Sequence, residues 1–357
     1  MPIPLVDVRA QYAPLLEELR GEFDDVLERG QFILGAKVEA FEREAAEYLG
    51  VAYALGVANG TDAIVLALDA LGIGPGDEVI CPTFTFYATA EAIARRGATP
   101  VFAEIDPATM NLDPDDVRRR ITPKTKAIMP VHLFGRPAHV DYDLPVVEDA
   151  AQAFGAQGVG TTGIASTYSF FPTKNLFALG DGGLVTTRDA ELAERIRLLR
   201  FHGSKAKETF ELVGYNSRLD ELQAAVLRIF LPRLDEWNRL RREAAARYAE
   251  LGLGEVCDLP ADEPGHVYHV FVVRSPERDR IRERLSEAGI ASKAYYETPL
   301  HLQPALRSLG YSEGDFPETE RASRENLALP FWAGIGADVQ ERVVAAVREA
   351  VSLEAVR

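Results

Sequence analysis

The feature that most constrains this chain lies between residues 52 and 187, where short apolar segments alternate with amphipathic ones. Segments 52–57, 78–81, 99–105, 127–133, 145–148, 164–170 and 184–187 read as strands, being short, apolar and rich in β-branched or aromatic residues. Pro82 and Pro172 stop two of them, because proline cannot donate to a ladder and restricts the residue before it. Helical spacing fills the gaps, at 61–71, after Tyr87, at 113–120 and at 189–199. Buried strands separated by helices predict an α/β fold around a mostly parallel sheet. Ligands of such sheets sit beyond the carboxyl ends of the strands. Thr61, Phe86, His132, Asp149 and Lys174 all fall at such ends, so one pocket would collect them.

The flanks are helical. Leu15, Leu16, Leu19, Phe23, Val26 and Leu27 mark a helix over 13–29, and a second runs from 37 to 49 with Gly50 as its stop. Between them Phe32-Ile33-Leu34 is three adjacent apolar residues, which either the body of the protein or a second subunit covers. Pro232 opens a long charged helix to residue 251, a natural hinge. The predicted division is a large domain over 1–235 and a smaller α/β domain over 236–357. The latter carries a strand at 268–273, a helix at 276–288, the loop YYETPLHLQPAL and a closing helix at 338–351. A net charge of -16 argues against non-specific nucleic-acid binding. Cys81 and Cys257 have no metal-ligand spacing, so neither a metal site nor a disulfide is expected. With no signal-peptide pattern and no apolar stretch long enough to span a bilayer, a soluble cytoplasmic protein is expected.

The chemistry concentrates in SFFPTKNLFALGDGG, residues 169–183, whose only basic residue is Lys174. An amine just past a buried strand, among apolar neighbours, is disfavoured as the ammonium and can attack a carbonyl. The alternative is a surface lysine in a turn. Asp149 ends the VVED strand, where a buried carboxylate needs a cation or hydrogen bonds; a capping role for the 150–154 turn is the other reading. Gly60-Thr61 opens a helix and suits a phosphate, although most such openings bind nothing. Phe84, Phe86 and Tyr87 either stack on a flat ligand or pack the core. Taken together, Lys174, Asp149, Phe86 and the group Gly60-Thr61-Ser169 supply the needs of an aldehyde cofactor with a pyridine ring.

A series of longer segments, in order GQFILG, GVANGTDA, GIGPGDEV, PVHLFG, VEDAAQ, SFFPTKNLFALGDGG, GYNSRLDELQAA and PLHLQPA, closely resembles the DegT/DnrJ/EryC1/StrS sugar aminotransferases. The resemblance implies a fold-type I transferase dependent on pyridoxal 5'-phosphate (PLP) and working as a homodimer with shared sites. It implies that Lys174 forms the Schiff base and shuttles the proton, and that Asp149 pairs with the pyridinium nitrogen. Gln152 would face the 3-hydroxyl and Phe86 would stack on the ring. Gly60, Thr61 and Ser169 would hold the phosphate, joined by Asn216 of the other subunit. Tyr295, His301 and Gln303 match positions near the sugar nucleotide; for His301 a substrate donor and an ordinary polar loop residue stay equally open. Lys174, where dehydratase relatives carry histidine, favours amine transfer. The implied reaction moves an amino group, from glutamate, to a keto sugar carried on a nucleotide diphosphate. The Asp181-containing glycine turn favours a 3-keto sugar; a 4-keto sugar, a cyclitol, or a PLP-binding protein without turnover are the alternatives. Phe177, bulky where a small residue is usual, is expected to narrow the pocket. Segments 137–145 and 155–164 are too short for the usual covering helices.

Overall fold

The structure, a computed structural model, describes residues 2–206 and 208–352. Seven strands form the main sheet: β1 (Tyr53–Val57), β2 (Glu78–Pro82), β3 (Thr99–Ala103), β4 (Thr125–Ile128), β5 (Val147–Asp149), β6 (Ala165–Ser169) and β7 (Gly183–Thr187). They pair as β1-β7-β6-β5 and β3-β2-β4. Parallel bridges Ile128–Val146 and Val131–Asp149 join the two groups across β4 and β5. Only β7 runs against the others. The reason is local: β6 reaches β7 through residues 170–182 with no helix between, and a parallel neighbour needs a crossover. The mostly parallel sheet read from the sequence is therefore correct, with one reversed strand.

Side chains alternate between two cores. Val185 packs with Leu55, Val79 and Phe102 on one face, while its neighbour Leu184 packs with Tyr168 and Phe170 on the other. Helix Gly60–Ala70 is buried at Ala63 to Leu68 without a break, because sheet and helices enclose it. Asn59, in extended backbone, caps it by accepting from the Asp62 N–H at 2.8 Å. The N–H groups of Gly60 and Thr61 are left to a ligand.

A second layer holds β8 (Phe271–Arg274) antiparallel to β9 (Asn326–Leu329), with helices Leu234–Glu250, Arg278–Glu287 and Ala337–Ser352. Helix Pro317–Glu325 and β9 went unread in the sequence: the helix has a mostly charged face and the strand begins on Asn326. Ile3 pairs with Ile290 and shares a core with Tyr248 and Phe271, so the N-terminus packs with this layer although it lies far from it in sequence. Segments 137–145 and 155–164 contain no helix, as expected from their lengths. Glu148 organises the second of them, accepting from Gly160 N at 2.9 Å, Gly163 N at 2.8 Å and Ser166 Oγ at 3.2 Å.

The two layers are stitched at residues 134–135 and 267–269. Val267 N donates to Gly135 O at 2.9 Å and His269 N to Phe134 O at 2.8 Å. Gly135 has φ +93, and a Cβ there would lie 2.9 Å from His269 N and 3.0 Å from Tyr268 N, both backbone. Gly158 shares the left-handed backbone, at φ +79, but a Cβ would meet nothing within 4 Å. Gly135→Ala is expected to destabilise by about 2–4 kcal/mol, and Gly158→Ala by only about 1 kcal/mol. Denaturant midpoints at constant m-value measure the contrast.

Candidate active site

Lys174 sits on a loop closed on itself. Phe170 N donates to Gly182 O at 2.8 Å, Ala178 N to Phe170 O at 2.7 Å and Lys174 N to Phe171 O at 2.8 Å. The next side chain anchors the loop: Asn175 Nδ2 donates to Asn238 Oδ1 at 2.8 Å and Val267 O at 2.9 Å. Burial pulls the Lys174 ammonium down to about 8, against the opposing charge of Asp149. A sizeable neutral fraction follows near neutral pH, which a Schiff-base lysine requires.

Asp149, 5% exposed at the end of β5, faces this amine with no ion pair among the described residues. Burial raises its carboxyl, and bonds from Thr89 Oγ1 (2.8 Å) and Ala151 N (3.2 Å) work the other way. Since Thr89 gives its proton to Asp149, it must accept from Thr85 Oγ1, 3.2 Å away. The two buried threonines thus orient the carboxylate, a role the sequence reading missed; their i, i+4 spacing at the start of a helix was the available signal. His132 does not serve Asp149. Its Nδ1 accepts from Ala138 N at 2.9 Å, so its Nε2 carries the proton and donates to Glu148 at 2.9 Å.

Gly60 and Ser169 are in contact, for a Cβ on Gly60 would lie 2.7 Å from Ser169 Cβ. Gly183 closes the other side, where a Cβ would lie 2.3 Å from Asn59 O. Ser169 Oγ accepts from Phe171 N at 3.3 Å, which leaves its proton to give. The unpaired N–H groups at this helix end therefore lie beside the Ser169 hydroxyl with no Cβ on Gly60 between them, a cradle whose donors suit a phosphate. Asn216 lies near the cradle's edge: it lines one cavity with Ala58 and Asn59, the residues just before Gly60. It is exposed and borders a cavity of about 400 Å³ with Asn59, Asp181, Arg218 and Gln223.

The aromatic group divides. Phe84 is core at 1% exposed, whereas Phe86 is 58% exposed and bare on one side. Tyr296, 6.3 Å from the Phe86 centroid, completes the wall. Gln152 sits beside it, its Oε1 accepting from Phe134 N at 2.7 Å and its Nε2 donating to Tyr296 Oη at 3.2 Å. The sequence reading placed the neighbouring Tyr295 near the sugar nucleotide and did not single out Tyr296. Tyr295 is half-buried beside Lys293, with its N–H on Asn326 Oδ1 at 2.6 Å.

Two expectations need correction. His301 is 2% exposed and has no free ring nitrogen: Nδ1 meets Thr83 Oγ1 at 2.8 Å and Nε2 meets Glu320 Oε1 at 3.1 Å. It anchors the 295–303 loop to the end of β2 instead of offering a donor to substrate. Phe177 is fully buried, 4.7 Å from Phe230 and 5.9 Å from Trp237 by ring centroids, so its bulk fills the core and leaves the pocket unchanged. Gln303 is half-buried and its amide donates to Thr298 O at 3.1 Å.

A sheet with one reversed strand, a desolvated lysine opposite a buried carboxylate, and a helix-end cradle define an aminotransferase of the PLP-dependent α/β class. The chain belongs to the DegT/DnrJ/EryC1/StrS aminotransferase family, which it matches over residues 15–348. It is 47% identical to a pleiotropic regulatory protein of Geobacillus stearothermophilus, with 98% of each chain covered. It is 44% identical to the UDP-N-acetyl-3-dehydro-α-D-glucosamine 3-aminotransferase of Acidithiobacillus ferrooxidans, with 97% of each covered. A solved structure of Streptomyces venezuelae DesV, in complex with a ketimine intermediate, superposes with TM-score 0.93 at 44% identity over 98% of each chain. PLP is the cofactor of this family. The residues present fit it: among the described residues Asp149 has no ion pair, Phe86 is 58% exposed with only the tilted Tyr296 ring beside it, and the Gly60-Ser169 cradle has donors to spare.

Lys174 also makes stability depend on pH in the cofactor-free protein. The folded lysine loses its proton at about 8 and the unfolded one at 10.5, so the unfolded chain binds more protons between these values. Stability contributed by this residue therefore rises with pH across that window. Relative to Lys174→Met, the wild type is expected to gain up to about 3 kcal/mol between the two ends, read from denaturant curves at each pH.

Proposed function

We propose that this protein transfers an amino group from glutamate to the 3-keto group of a sugar carried on a nucleotide diphosphate. The observation that carries the reading is the opposition of Lys174, its ammonium weakened by burial to about 8, to the buried carboxylate of Asp149. Bound PLP supplies an electron sink for the carbon that loses its proton. Lys174 Nζ takes and returns that proton, and the Asn175 anchors hold its loop in place. Asp149, oriented by Thr89 and Ala151, holds positive charge on the ring nitrogen. Gly60, Thr61 and Ser169 hold the phosphate, and Phe86 with Tyr296 walls the ring from water. Support for the 3-keto assignment comes from the Asp181 turn and from the name of the 3-aminotransferase relative.

We further propose a homodimer in which Asn216 of one copy completes the phosphate cradle of the other. Exposure of Asn216 and of the nearby Ile33, 40% exposed, supports this. A sugar-binding role for Tyr295 and Gln303 belongs to the same reading.

Reconstituted protein is expected to show a visible absorption band that glutamate bleaches. Supplying 3-keto and 4-keto nucleotide sugars and keto cyclitols in parallel, with NMR of the products, is expected to give an amine at carbon 3 over many turnovers. An amine at carbon 4, a cyclitol-only product, or cofactor binding without turnover would each overturn the substrate class. Asp149→Ala is expected to lower kcat/KM by about a thousandfold. Mixed after unfolding and refolding, Lys174→Ala and Asn216→Ala chains form hybrids with one intact site. Recovery of about a quarter of wild-type activity at limiting cofactor is expected from random pairing. No recovery would show that the site is completed within one chain.

A further inference from the structure

The loop that carries Tyr296 is tied down at both ends. At its start Tyr295 N donates to Asn326 Oδ1 at 2.6 Å. At its end Thr83, fully buried just past β2, exchanges three hydrogen bonds with two successive residues. Leu300 N donates to Thr83 O at 2.9 Å, and His301 N to Thr83 Oγ1 at 3.3 Å. The hydroxyl, already an acceptor, gives its own proton to His301 Nδ1 at 2.8 Å. A neutral imidazole accepting at Nδ1 carries its proton on Nε2, which donates to Glu320 Oε1 at 3.1 Å. The opposite polarity would turn a bare Nε2 toward a carboxylate. Burial disfavours the charged ring, so the chain Thr83 to His301 to Glu320 has one direction. Its far end is fixed as well. Glu320 also accepts from Gly314 N at 2.7 Å, and its helix Pro317–Glu325 is capped by Glu104, just past β3, through Glu318 N at 2.9 Å and Thr319 N at 3.0 Å.

We propose that Thr83, His301 and Glu320 are positioning residues for the amino transfer, a relay that holds Tyr296 against Phe86 and so sets the width of the slot into which the keto sugar advances. This rests on the function proposed above. One residue serves both walls. Thr83 opens the segment that presents Phe86 three positions later, and it receives the end of the loop that presents Tyr296. The Tyr296 ring centroid lies 5.9 Å from Phe84 and 6.3 Å from Phe86, so the loop meets the segment by side chains as well. The anchors of the reacting groups are separate: Asn238 and Val267 hold the lysine loop, and Thr89 and Ala151 hold Asp149. Loosening the relay therefore moves the wall and leaves the amine and the carboxylate in place. A displacement of about an ångström is enough to misplace a reacting carbon.

The test uses cofactor-loaded Thr83→Val, which keeps the side-chain shape and removes the hydroxyl. KM for a 3-keto nucleotide sugar is expected to rise about tenfold. The saturating rate at which glutamate bleaches the visible band is expected to stay within about twofold of wild type. Visible circular dichroism of the bound cofactor is expected to fall, because its aromatic wall is no longer fixed. Amide hydrogen exchange is expected to quicken over residues 295–303 and to stay unchanged over 165–187. Thr83→Ser, which keeps the hydroxyl, is expected to restore all of these. Where Thr83→Val does not fold, His301→Asn carries the test: its amide oxygen replaces Nδ1 toward Thr83 but its side chain is too short for Glu320, and the same split is expected, smaller. Unmoved KM, dichroism and exchange, equal losses in sugar KM and in the bleaching rate, or failure of Thr83→Ser to rescue would each overturn the relay while leaving the proposed reaction intact. Wild-type protein that binds no cofactor or aminates no keto sugar overturns both.

Discussion

Everything at this site depends on holding two opposite charges in a buried space without letting them pair. Asp149 and Lys174 are each driven by desolvation toward the neutral form, the carboxyl upward and the ammonium down to about 8. Direct contact would relieve both, and would also remove the reactive amine. The fold prevents it by separate anchors. Asp149 is held from behind by Thr89 and Ala151, and Lys174 by a loop whose next residue is tied to Asn238 and Val267. Each group is thereby left without an ion-pair partner among the described residues. The strand that delivers Asp149 shows the contrast within two residues. Glu148 points to the opposite face, as strand alternation requires, and is saturated by His132, Gly160, Gly163 and Ser166. One acid is spent on structure and its neighbour is kept for chemistry.

Lys174, Asp149, Gly60, Ser169 and Phe86 were legible in the sequence because each sits where a strand or helix ends, and such ends are marked by proline, glycine and changes of hydrophobic period. Residues that act through another side chain were not. Thr85 and Thr89 look like ordinary threonines until the Asp149 carboxylate is set above them. Tyr296 could not be told from Tyr295, since alternation across a loop is not fixed by pattern. For His301 the sequence left two readings equally open, a substrate donor and an ordinary polar loop residue, and the structure gives both ring nitrogens to Thr83 and Glu320. Phe177 was misjudged because its burial against Phe230 and Trp237 depends on two helices far away in sequence. Strand order was readable only in part: the reversal of β7 follows from a connection without a helix, whereas the pairing of β5 with β4 rests on isolated bridges.

The second layer matters to the site through one helix. Asn238, Arg241 and Tyr248 lie along the buried side of helix Leu234–Glu250. Asn238 holds Asn175, while Arg241 donates to the carbonyl oxygens of Tyr268 at 3.3 Å and His269 at 3.2 Å. Arg241 is 1% exposed with no carboxylate partner among the described residues, and burial lowers its guanidinium to about 10. A buried cation without a carboxylate is costly, and here Nη1 meets both successive carbonyls, Nη2 reaches Gln11 Oε1 at 3.5 Å, and the guanidinium lies 5.9 Å from the Phe331 ring centroid. The segment it fixes is the one that meets Phe134 and Gly135, and Phe134 in turn orients Gln152. Packing in the smaller layer is thus transmitted to the cofactor wall through backbone hydrogen bonds.

The same logic applies to the open side of the phosphate cradle. Glu221 accepts from Gly35 N, Lys37 N and Val38 N at 2.9, 3.0 and 2.8 Å, capping helix Ala36–Leu49 from a distant segment. Phe32 O accepts from Glu221 N at 2.9 Å, and Ile33 bridges Asp220. The link at 30–35 is therefore held firmly, yet it presents Phe32 at 46% and Ile33 at 40% exposure. A chain that invests three charge-assisted bonds in fixing a loop has little physical reason to fix it with apolar residues in water. Ile33 borders the same cavity as Asn216, Asp181 and Asn59, next to the cradle. An apolar, preorganised rim beside an unfinished anion site is what a second copy would need in order to dock with little loss of entropy. That convergence is the physical support for the shared site, and it arises from the capping carboxylate of Glu221 as much as from the exposed side chains.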